Sequence, residues 1–355
     1  MDNVLNGFRE RVLRAGQDKT PLCIRGGGSK DWYGNLPQGD MLDTSAYQGI
    51  ASYEPTELVI TARCGTRLSE IEAALAERGQ MLAFEPPHFN ADSTIGGVVA
   101  CGLAGPRRQT AGAVRDFVLG AALMDGRGDV LRFGGQVMKN VAGYDVSRLL
   151  AGSLGMLGLI LDVSLKVLPR PQMEASLRLE MHQEDALQRM NVWAGQPLPL
   201  SASAWHGNVL TVRLSGAQAA VEAAMRRIGG DALPAAAADA FWRDLRDQRH
   251  AFFTQDGEPL WRMAVPTVAP ALAHRGQQLI EWGGGQRWLR CADSAESLRA
   301  LAHRHGGHAT LYRGGARAQG VFHPLAPAVH TIHRNLKNAF DPAAIFNPGR
   351  MYQDL

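Results

Sequence analysis

The order of apolar and polar positions predicts a helix, a strand and a second helix in the first quarter of the chain. Apolar residues recur at helical spacing near its start, at Val4, Leu5, Phe8, Val12 and Leu13, and Gly16 can end this helix. An apolar run over 58–62 predicts a strand. The amphipathic stretch over 68–75 predicts a helix with capping-box spacing between Ser69 and Glu72, and another strand is expected over 81–84.

The next part of the chain places two glycines at a predicted helix start. Asp92 or Ser93 can cap a short helix whose first turn contains Gly96 and Gly97. Glycine lowers helix stability there, which is consistent either with a ligand that approaches the backbone or with tight packing of the helix. Further strands and a short helix are predicted over 114–124, 130–133, 146–151 and 159–167, with a hairpin at Asp125-Gly126.

Pro169 and Pro171 indicate a domain boundary, after which strand-like and helix-like runs alternate. Strands are predicted over 176–181, 210–214, 260–265 and 287–291, and helices over 184–193, 217–228 and 294–305. The alanine-rich stretch 235–240 is interpreted as a mobile excursion. This alternation predicts an α+β region with an antiparallel sheet covered by helices. A last helix over 326–340 precedes a tail with turn chemistry.

Composition and charge then exclude several kinds of partner. With 355 residues, of which 45% are hydrophobic and 20% charged, the chain is long enough for two domains and has the composition of a soluble globular protein. Its 37 Lys and Arg residues balance 34 Asp and Glu residues, which argues against nucleic acid as a partner. No apolar run approaches the ~18 residues of a spanning helix, and the first residues lack a signal pattern. We therefore expect a cytosolic protein that contacts a membrane only through its partners, peripherally at the inner membrane.

Four isolated cysteines limit the redox chemistry that the chain can carry by itself. No two of them form a C-x-x-C pair, so the sequence encodes neither an iron–sulfur cluster nor a zinc ribbon. We expect all four to be free thiols, at Cys23, Cys64, Cys101 and Cys291. If the protein transfers electrons, the carrier must be a bound organic cofactor.

The stretch with the most specific chemistry is Arg25-Gly-Gly-Gly-Ser-Lys30. Consecutive glycines let backbone N–H groups converge on an anion, and the flanking cations and the Ser29 hydroxyl favour a phosphate or pyrophosphate. A P-loop is excluded because Ser29, not glycine, precedes Lys30, and a dinucleotide fingerprint is excluded because Asp31 is the third residue after Gly28. Taken alone, the loop fits a surface turn equally well.

Five motifs in order resemble a known family. They are Arg25-Gly-Gly-Gly-Ser29, Thr94-Ile-Gly-Gly97, Lys139-Asn-Val-Ala-Gly-Tyr-Asp145, Gly155-Met-Leu-Gly158 and Phe346-Asn-Pro-Gly-Arg350. Together they resemble the PCMH-type FAD-binding fold of the vanillyl-alcohol oxidase type, in its 2-hydroxy-acid oxidase branch. Within that branch, three further segments are most similar to the FAD-binding E subunits of glycolate oxidase, namely Gly105-Pro-Arg-Arg108, 112–120 and 134–148.

The resemblance implies an α+β fold in three parts. These are a two-part PCMH-type FAD-binding domain over 1–170, a reduced α+β cap domain with an antiparallel sheet over 171–325, and a helix and tail over 326–355 that return to the FAD site. The first glycine loop is then expected to hold the FAD pyrophosphate, and the tail to approach the isoalloxazine. The implied cofactor-binding residues are Arg25, Gly26, Gly27, Gly28, Ser29, Lys30, Thr94, Gly96, Gly97, Gly105, Arg115, Asp116, Gly155, Gly158, Ile160, Asn347 and Arg350.

Two departures from the family shape these expectations. Relatives that attach FAD covalently often carry a histidine where this chain has Ser29, so we expect noncovalent FAD. Larger relatives carry a histidine-rich metal and substrate segment, to which the nearest match here is His303-x-His305-x-x-His308. Its surroundings differ, so we interpret this run as a charged helix end. His330 and His333 share a helix face and receive the same interpretation, and no metal site is expected.

Three functions remain open at the level of sequence. By resemblance, the chain is the FAD-binding subunit of a multi-subunit glycolate oxidase, which converts glycolate to glyoxylate. It would hold FAD for electron transfer or assembly beside a second, catalytic FAD subunit and an iron–sulfur subunit. Alternatively, it oxidises glycolate or D-lactate by itself. A third alternative is a scaffold subunit without flavin, against which the intact glycine loop argues.

Self-sufficient oxidation would require a site for the substrate carboxylate. Arg107 and Arg108 suit this role because guanidinium groups bind carboxylates through two hydrogen bonds. A solvated loop or a partner-contact surface explains the same two residues. No general base is evident in the sequence, so no catalytic residue is assigned.

Overall fold

A computed structural model describes residues 2–135, 145–274 and 276–355. The predicted Lys139–Asp145 motif therefore lies outside the described residues except for Asp145. Within these ranges the chain combines α-helices with two large antiparallel sheets, as the α+β prediction requires. No described helix is long and apolar enough to cross a membrane.

The described helices and strands have the following bounds. The helices are α1 (Asp2–Asp18), α2 (Leu68–Ala76), α3 (Ile95–Cys101), α4 (Arg108–Ala111), α5 (Val114–Phe117), α6 (Val146–Leu149), α7 (Gln183–Ala194), α8 (Gln218–Ile228), α9 (Ala235–Arg246), α10 (Ala251–Thr254), α11 (Ala295–Arg304) and α12 (Pro327–Phe340). The strands are β1 (Leu22–Arg25), β2 (Asp40–Asp43), β3 (Ile50–Glu54), β4 (Val59–Arg63), β5 (Gln80–Met81), β6 (Val118–Met124), β7 (Val130–Gly134), β8 (Leu159–Lys166), β9 (Leu168–Pro169), β10 (Met173–Glu180), β11 (Leu200–His206), β12 (Val209–Gly216), β13 (Asp231–Ala232), β14 (Leu260–Ala264), β15 (Gln277–Glu281), β16 (Gln286–Arg290) and β17 (His308–Arg313).

The first half of the chain builds three sheets, of which the smallest pairs β5 with β9. β1 and β2 pair in parallel, whereas β3, β4, β8, β6 and β7 form an antiparallel sheet in that order. Helices α2 and α3 bury their apolar faces on this sheet through residues such as Ile71, Leu75 and Val99, which are inaccessible to solvent. The burial of these side chains stabilises the fold by about 1.5–3 kcal/mol each.

The second half builds a single eight-stranded antiparallel sheet in the order β13-β10-β12-β11-β15-β16-β14-β17. Because side chains alternate along each strand, the two faces of the sheet differ. One face, with Ile280 and Leu289, packs in apolar clusters that include residues of α7, α8 and α11. The other face carries polar side chains such as Arg213 and Arg262, which bond to residues of the first half. These polar bonds and a buried apolar cluster, which includes Tyr33 and Leu103 of the first half and Trp288 of the second, join the two halves.

The C-terminal tail packs against the first half through a buried ion pair. Lys337 in α12 donates to the Asp341 carboxylate at 2.7 Å and to the carbonyl oxygens of Met156 and Phe346 at 2.8 and 2.7 Å. Asp341, inaccessible to solvent, also accepts from the N–H groups of Ile345 and Phe346. These bonds fix the start of the tail.

Most predicted elements are present, but several details were wrong. The alanine-rich stretch 235–240 is not a mobile excursion but the first half of α9, whose Trp242 is buried and donates to Ser176 Oγ at 2.8 Å. Helix α1 continues past Gly16 to Asp18, and 81–84 is mostly turn rather than strand. Local helix propensity alone did not predict α9, because packing against the sheet stabilises this helix.

The helix caps were also predicted one or two residues off. Arg67 rather than Ser69 precedes the first turn of α2, so the predicted capping box is not formed. Thr94, rather than Asp92 or Ser93, caps α3, and its Oγ1 accepts from the Gly97 N–H at 3.4 Å. The β-rich run 114–124 begins with the short helix α5 and becomes a strand only at Val118.

Candidate functional site

One cavity lies where four sequence-distant segments meet, three from the first half and one from the tail. These segments are the 24–31 loop, α3 with its cap, the 154–160 loop and the tail, and the single residues that follow β2 and β4 also contribute. The lining residues are Ile24, Arg25, Gly26, Gly27, Gly28, Ser29, Lys30, Asp31, Thr44, Cys64, Thr94, Gly96, Gly97, Ala100, Cys101, Leu154, Gly155, Gly158, Leu159, Ile160, Asn347 and Arg350.

The glycines of the first loop are required by close contacts with the chain opposite. A Cβ on Gly27 would lie 1.5 Å from the Asp92 carbonyl oxygen, and one on Gly26 would lie 2.3 Å from Thr94 Oγ1. Gly28 has a φ of +66°, a backbone conformation that residues with a side chain rarely adopt. Among the described residues, the N–H groups of these glycines have no hydrogen-bond partner. The loop therefore presents a row of free backbone donors, as an anion requires.

The two cations of this loop have different roles. Arg25 is 43% exposed and forms an ion pair with Asp31 at 2.7 Å. Lys30 is buried, and within the described part of the chain its ammonium donates only to the hydroxyl oxygens of Ser29 at 3.0 Å and Ser93 at 2.8 Å. Burial lowers the pKa of Lys30. A buried cation held by neutral hydroxyls is stabilised by a ligand with negative charge, which fits a pyrophosphate.

The sequence left open whether a ligand or tight helix packing requires the two glycines of α3, and the structure gives a different answer for each. A Cβ on Gly96 would lie 2.6 Å from Cys64 Cβ, so Gly96 is required for helix packing. A Cβ on Gly97 would meet nothing closer than Thr94 Oγ1 at 3.4 Å, and Gly97 lines the cavity. Gly97 therefore leaves space that a ligand can occupy, whereas Gly96 allows α3 to pack closely against Cys64.

The 154–160 loop and the tail are joined through Asn347. The Asn347 side chain accepts from the Ile24 N–H at 2.8 Å and donates to the Leu154 carbonyl oxygen at 2.6 Å. Gly155, with a φ of +72°, leaves the space that the Asn347 amide occupies. Asn347 thus connects three walls of the cavity.

Arg350 fixes the far end of the glycine loop. Its guanidinium donates to the carbonyl oxygens of Asn35, Lys30 and Asp31, and burial lowers its pKa. Because these bonds go to the backbone, Arg350 positions the loop and keeps its charge near the cavity. The sequence assigned Asn347 and Arg350 to the flavin side, and the structure places both in the wall.

Three predicted cofactor residues do not line this cavity. Gly105 packs against Glu85, whose carbonyl oxygen a Cβ would approach to 2.5 Å. Arg115 is 70% exposed, and the Asp116 carboxylate accepts from the Ala113 N–H at 2.8 Å. The other predicted residues all contribute to the wall. The wall residues that the sequence did not predict are neither glycine nor basic, so no local pattern identified them; they are Ile24, Asp31, Thr44, Cys64, Ala100, Cys101, Leu154 and Leu159.

Arg107 is neither on a solvated loop nor free to bind a substrate. It is buried between the halves, where its N–H and guanidinium donate to Glu85 at 2.8 and 3.3 Å and its Nη2 to Glu174. Arg213 pairs with Glu85 at 2.8 Å. Burial alone would raise the pKa of Glu85, but Arg213 and Arg107 lower it. These ions form a network that joins the two halves.

One group outside the cavity has metal-ligand side chains. His274, Cys291 and Asp293 each place one ligand atom within 4.8 Å of the others. The Gly276 N–H donates to His274 Nδ1 at 2.9 Å, so the neutral ring carries its proton on Nε2, which faces Asp293 at 3.1 Å. A metal on Nε2 would require the opposite tautomer. Burial also raises the pKa of Cys291 to about 11, so the geometry favours a hydrogen-bonded pair.

Comparisons with known proteins agree with this geometry. A family model described as an FAD binding domain matches residues 8–134, which include the glycine loop and α3. The glycolate oxidase subunit GlcE of Escherichia coli (strain K12) is 48% identical over 346 residues, which cover 98% of this chain and 97% of that protein. This chain belongs to the GlcE family of glycolate oxidase subunits. As a member, it is an FAD-dependent oxidoreductase subunit, and its cofactor is FAD.

More distant relatives match about half of this GlcE-family chain. The glycolate oxidase subunit GlcD of Bacillus subtilis (strain 168) is 30% identical over 45% of this chain and 34% of its own length. A D-lactate dehydrogenase of Archaeoglobus fulgidus is 30% identical over 54% of this chain and 43% of its own length. Alkyldihydroxyacetonephosphate synthase has a similar fold, with a TM-score of 0.67 at 16% identity over 96% of this chain and 73% of its own length.

Proposed function

We propose that this chain holds FAD noncovalently in the glycine-walled cavity, as one FAD-binding subunit of a glycolate oxidase that oxidises glycolate to glyoxylate. The observation that carries the proposal is the row of free N–H groups at Gly26, Gly27 and Gly28 beside the buried Lys30 ammonium. Together they match the charge and the acceptor oxygens of a pyrophosphate. Ser29 offers a hydroxyl rather than an imidazole at the position where covalent relatives carry histidine.

When bound, FAD supplies redox chemistry that none of the protein's own side chains provides. The role of this chain is to bind and orient it. Lys30 would neutralise the phosphates and Gly97 would allow close approach at the start of α3, while Asn347 holds the tail against the loop. We assign the cofactor-binding role to the predicted residues that line the cavity and not to Gly105, Arg115 or Asp116.

We propose that the partners are a second FAD-containing catalytic subunit and an iron–sulfur subunit. GlcE and GlcD are both named as subunits of glycolate oxidase, which supports a multi-subunit enzyme. The four cysteines of this chain are free and separate, so it supplies no ligand set for a cluster. Electrons that leave its flavin therefore need another redox protein. We place the complex in the cytoplasm, with membrane contact only through these partners.

We also propose that the FAD-binding domain spans 1–170, the cap domain 171–325 and the returning helix and tail 326–355. The strands β10–β17 lie in one sheet, and the strands before β9 lie in other sheets, which supports a boundary near 170. The bonds of Lys337 to Met156 and of Asn347 to Ile24 support a tail that belongs with the first domain.

A second candidate function is oxidation of a 2-hydroxy acid by this chain itself. The observation in its favour is Arg108, which lies between the two halves and has no carboxylate partner among the described residues. A scaffold without flavin is the third alternative, against which Lys30 argues, because it is buried and has no carboxylate partner among the described residues.

Flavin analysis and anaerobic reduction separate these functions. The purified chain is denatured with acid, and released FAD is measured in the supernatant. We expect about one FAD per chain, all of it released. Chain that is colourless and cannot be reconstituted with FAD would support the scaffold. The loaded chain is then mixed with glycolate or D-lactate without oxygen. Rapid bleaching without partners would overturn the carrier role and establish self-sufficient oxidation.

A further inference from the structure

Three side chains connect the second half of the chain to the glycine loop without lining the cofactor cavity. They are Trp32 and Phe89 of the first half and Arg313, the last residue of β17. The Arg313 guanidinium lies 4.2 Å from the ring centroid of Trp32 and 5.5 Å from that of Phe89. The two rings meet edge to face, with their centroids 5.1 Å apart. One cation of the eight-stranded sheet therefore contacts two rings beside the loop.

Both rings contact the glycine loop directly. The Trp32 indole donates to the Ser29 carbonyl oxygen at 3.1 Å, and the Lys30 ammonium lies 5.6 Å from the centroid of the Phe89 ring. This distance is within the range of a cation–π interaction, which is stronger where water is excluded. Lys30 is buried and has no carboxylate partner among the described residues, so the Phe89 ring helps to hold its charge in the cavity wall.

The backbone of Phe89 has a conformation that residues with a large side chain rarely adopt. Its φ is +58°, which glycine or asparagine would adopt at lower cost. Such a conformation persists only where the surrounding contacts impose it. The contacts of the Phe89 ring are Lys30, Trp32 and Arg313. They supply a reason for an aromatic residue at this position.

The position of Arg313 depends on the same rings. Among the described residues it forms no ion pair and no hydrogen bond, whereas Arg287 and Arg290 of the same sheet donate to backbone carbonyl oxygens. A guanidinium without acceptors is stabilised by stacking on aromatic faces. Arg313, Trp32 and Phe89 therefore hold one another in place across the interface of the two halves.

We propose that Arg313, Trp32 and Phe89 form an aromatic clamp that positions Lys30 and the glycine loop for the pyrophosphate of FAD. The inference rests on the proposed function for the identity of the ligand. Trp32 fixes the loop at the Ser29 carbonyl oxygen, and Phe89 fixes the ammonium of the next residue. The second half thereby contributes to cofactor affinity, although none of its described residues lines the cavity.

A purely structural role of these rings makes a different prediction. Trp32 and Phe89 also pack against the buried apolar cluster that joins the two halves. Packing depends on the volume of the side chain, whereas the clamp depends on an aromatic face at position 89 and on positive charge at Lys30 and Arg313. Leucine at position 89 preserves an apolar contact but removes the aromatic face, and tyrosine preserves both.

Titration of the full-length, flavin-free chain with FAD tests the clamp. FAD is removed with acid, and rebinding is followed by flavin fluorescence. We expect Phe89→Leu and Arg313→Gln each to weaken FAD binding about three- to tenfold, and Phe89→Tyr to retain wild-type affinity. Phe89→Asn should lose as much affinity as Phe89→Leu, although asparagine adopts a positive φ more readily.

A double-mutant cycle with Lys30 separates positioning from packing. If Phe89 acts through Lys30, then Phe89→Leu should cause little further loss of FAD affinity in a chain that carries Lys30→Gln. An equal loss with and without Lys30→Gln would overturn the clamp. Wild-type affinity in both Phe89→Leu and Arg313→Gln, at wild-type melting temperature, would overturn it as well.

Phe241→Leu and Arg304→Gln are the matched controls. Phe241 is half-buried and meets Trp242 edge to face, and Arg304 is exposed at the end of α11. Both controls should leave FAD affinity unchanged. A wild-type chain that takes up no FAD would contradict the proposed function and the clamp together. Normal FAD affinity in the wild type and in the Phe89 and Arg313 variants would overturn the clamp alone.

Discussion

The side-chain oxygen of Asn347 accepts a hydrogen bond from the backbone N–H of Ile24 at 2.8 Å, although 323 residues separate them in the sequence. The same side chain donates to the Leu154 carbonyl oxygen at 2.6 Å. One amide therefore satisfies a donor of β1 and an acceptor of the 154–160 loop. The C-terminal tail is in this way part of the cofactor cavity.

Replacing this amide should loosen the cavity. Asn347→Asp retains the acceptor for Ile24 but places a negative charge against the Leu154 carbonyl oxygen. We expect a loss of about 1–3 kcal/mol in the free energy of unfolding and a clear fall in bound FAD. Urea unfolding and the ratio of flavin to protein absorbance measure both. Asn335→Asp on the exposed side of α12 is the control and should change neither. Normal FAD content in Asn347→Asp would show that the tail is not needed for the cofactor.

Gly96 and Gly97 should respond differently to alanine. Gly96→Ala places a Cβ 2.6 Å from Cys64 Cβ, so we expect a loss of about 1–3 kcal/mol in stability from overpacking. Gly97→Ala meets only Thr94 Oγ1 at 3.4 Å, so the chain should fold with at least wild-type stability, because alanine favours the helix by up to about 1 kcal/mol. The added methyl group would instead occupy ligand space and reduce FAD binding. Melting temperature without FAD and FAD affinity by fluorescence give the two measurements.

Gly7→Ala is the matched control for both variants. Gly7 lies in α1, and a Cβ there would meet nothing within 4 Å. We expect it to raise stability by about 0.5–1 kcal/mol and to leave FAD affinity unchanged. Full FAD affinity in Gly97→Ala would contradict the role of this glycine in cofactor approach.

The sequence predicted the walls of the cavity better than their connections. Consecutive glycines beside a cation are a local pattern with a local physical reason, so the 25–30 loop and the start of α3 could be identified. The bond between Asn347 and Ile24 depends on how distant segments pack, which no local pattern specifies. The resemblance to a family supplied the tail residues instead.

The contacts of the charged residues at the interface likewise could not be predicted from local sequence. Arg107 and Arg108 are adjacent and identical in type, yet one is buried in an ion network and the other stacks on Trp282. Their difference depends on Glu85, which has an unusual φ of +48°, and on strands of the second half. Likewise, alanine runs are common in helices and in loops alike, so only the burial of Trp242 identifies α9 as a packed helix.

The ion network around Glu85 should contribute strongly to stability by holding the two halves together. Glu85→Gln keeps the shape of the side chain but leaves Arg213 without a carboxylate partner among the described residues. We expect a loss of about 3 kcal/mol or more in the free energy of unfolding, as for other buried pairs that lose one partner. Urea unfolding measures it, with exposed Glu57→Gln as the control. If Glu85→Gln and Glu57→Gln were equally stable, the network would not contribute significantly to the stability of the interface.

Glu281 should make stability depend on pH near neutrality. It is buried, accepts from Trp288 and Gln286 at 2.6 and 3.0 Å, and burial raises its pKa from 4.5 to about 7. Because the folded chain binds this proton more tightly than the unfolded chain, its contribution is complete below pH 4.5 and is lost as pH rises to about 7. Glu281→Gln resembles the protonated form and should be more stable than the wild type at pH 8 by about 2–3 kcal/mol, with the difference small at pH 4.5. Urea unfolding at several pH values measures this difference, and a constant difference across that range would show that Glu281 does not titrate there.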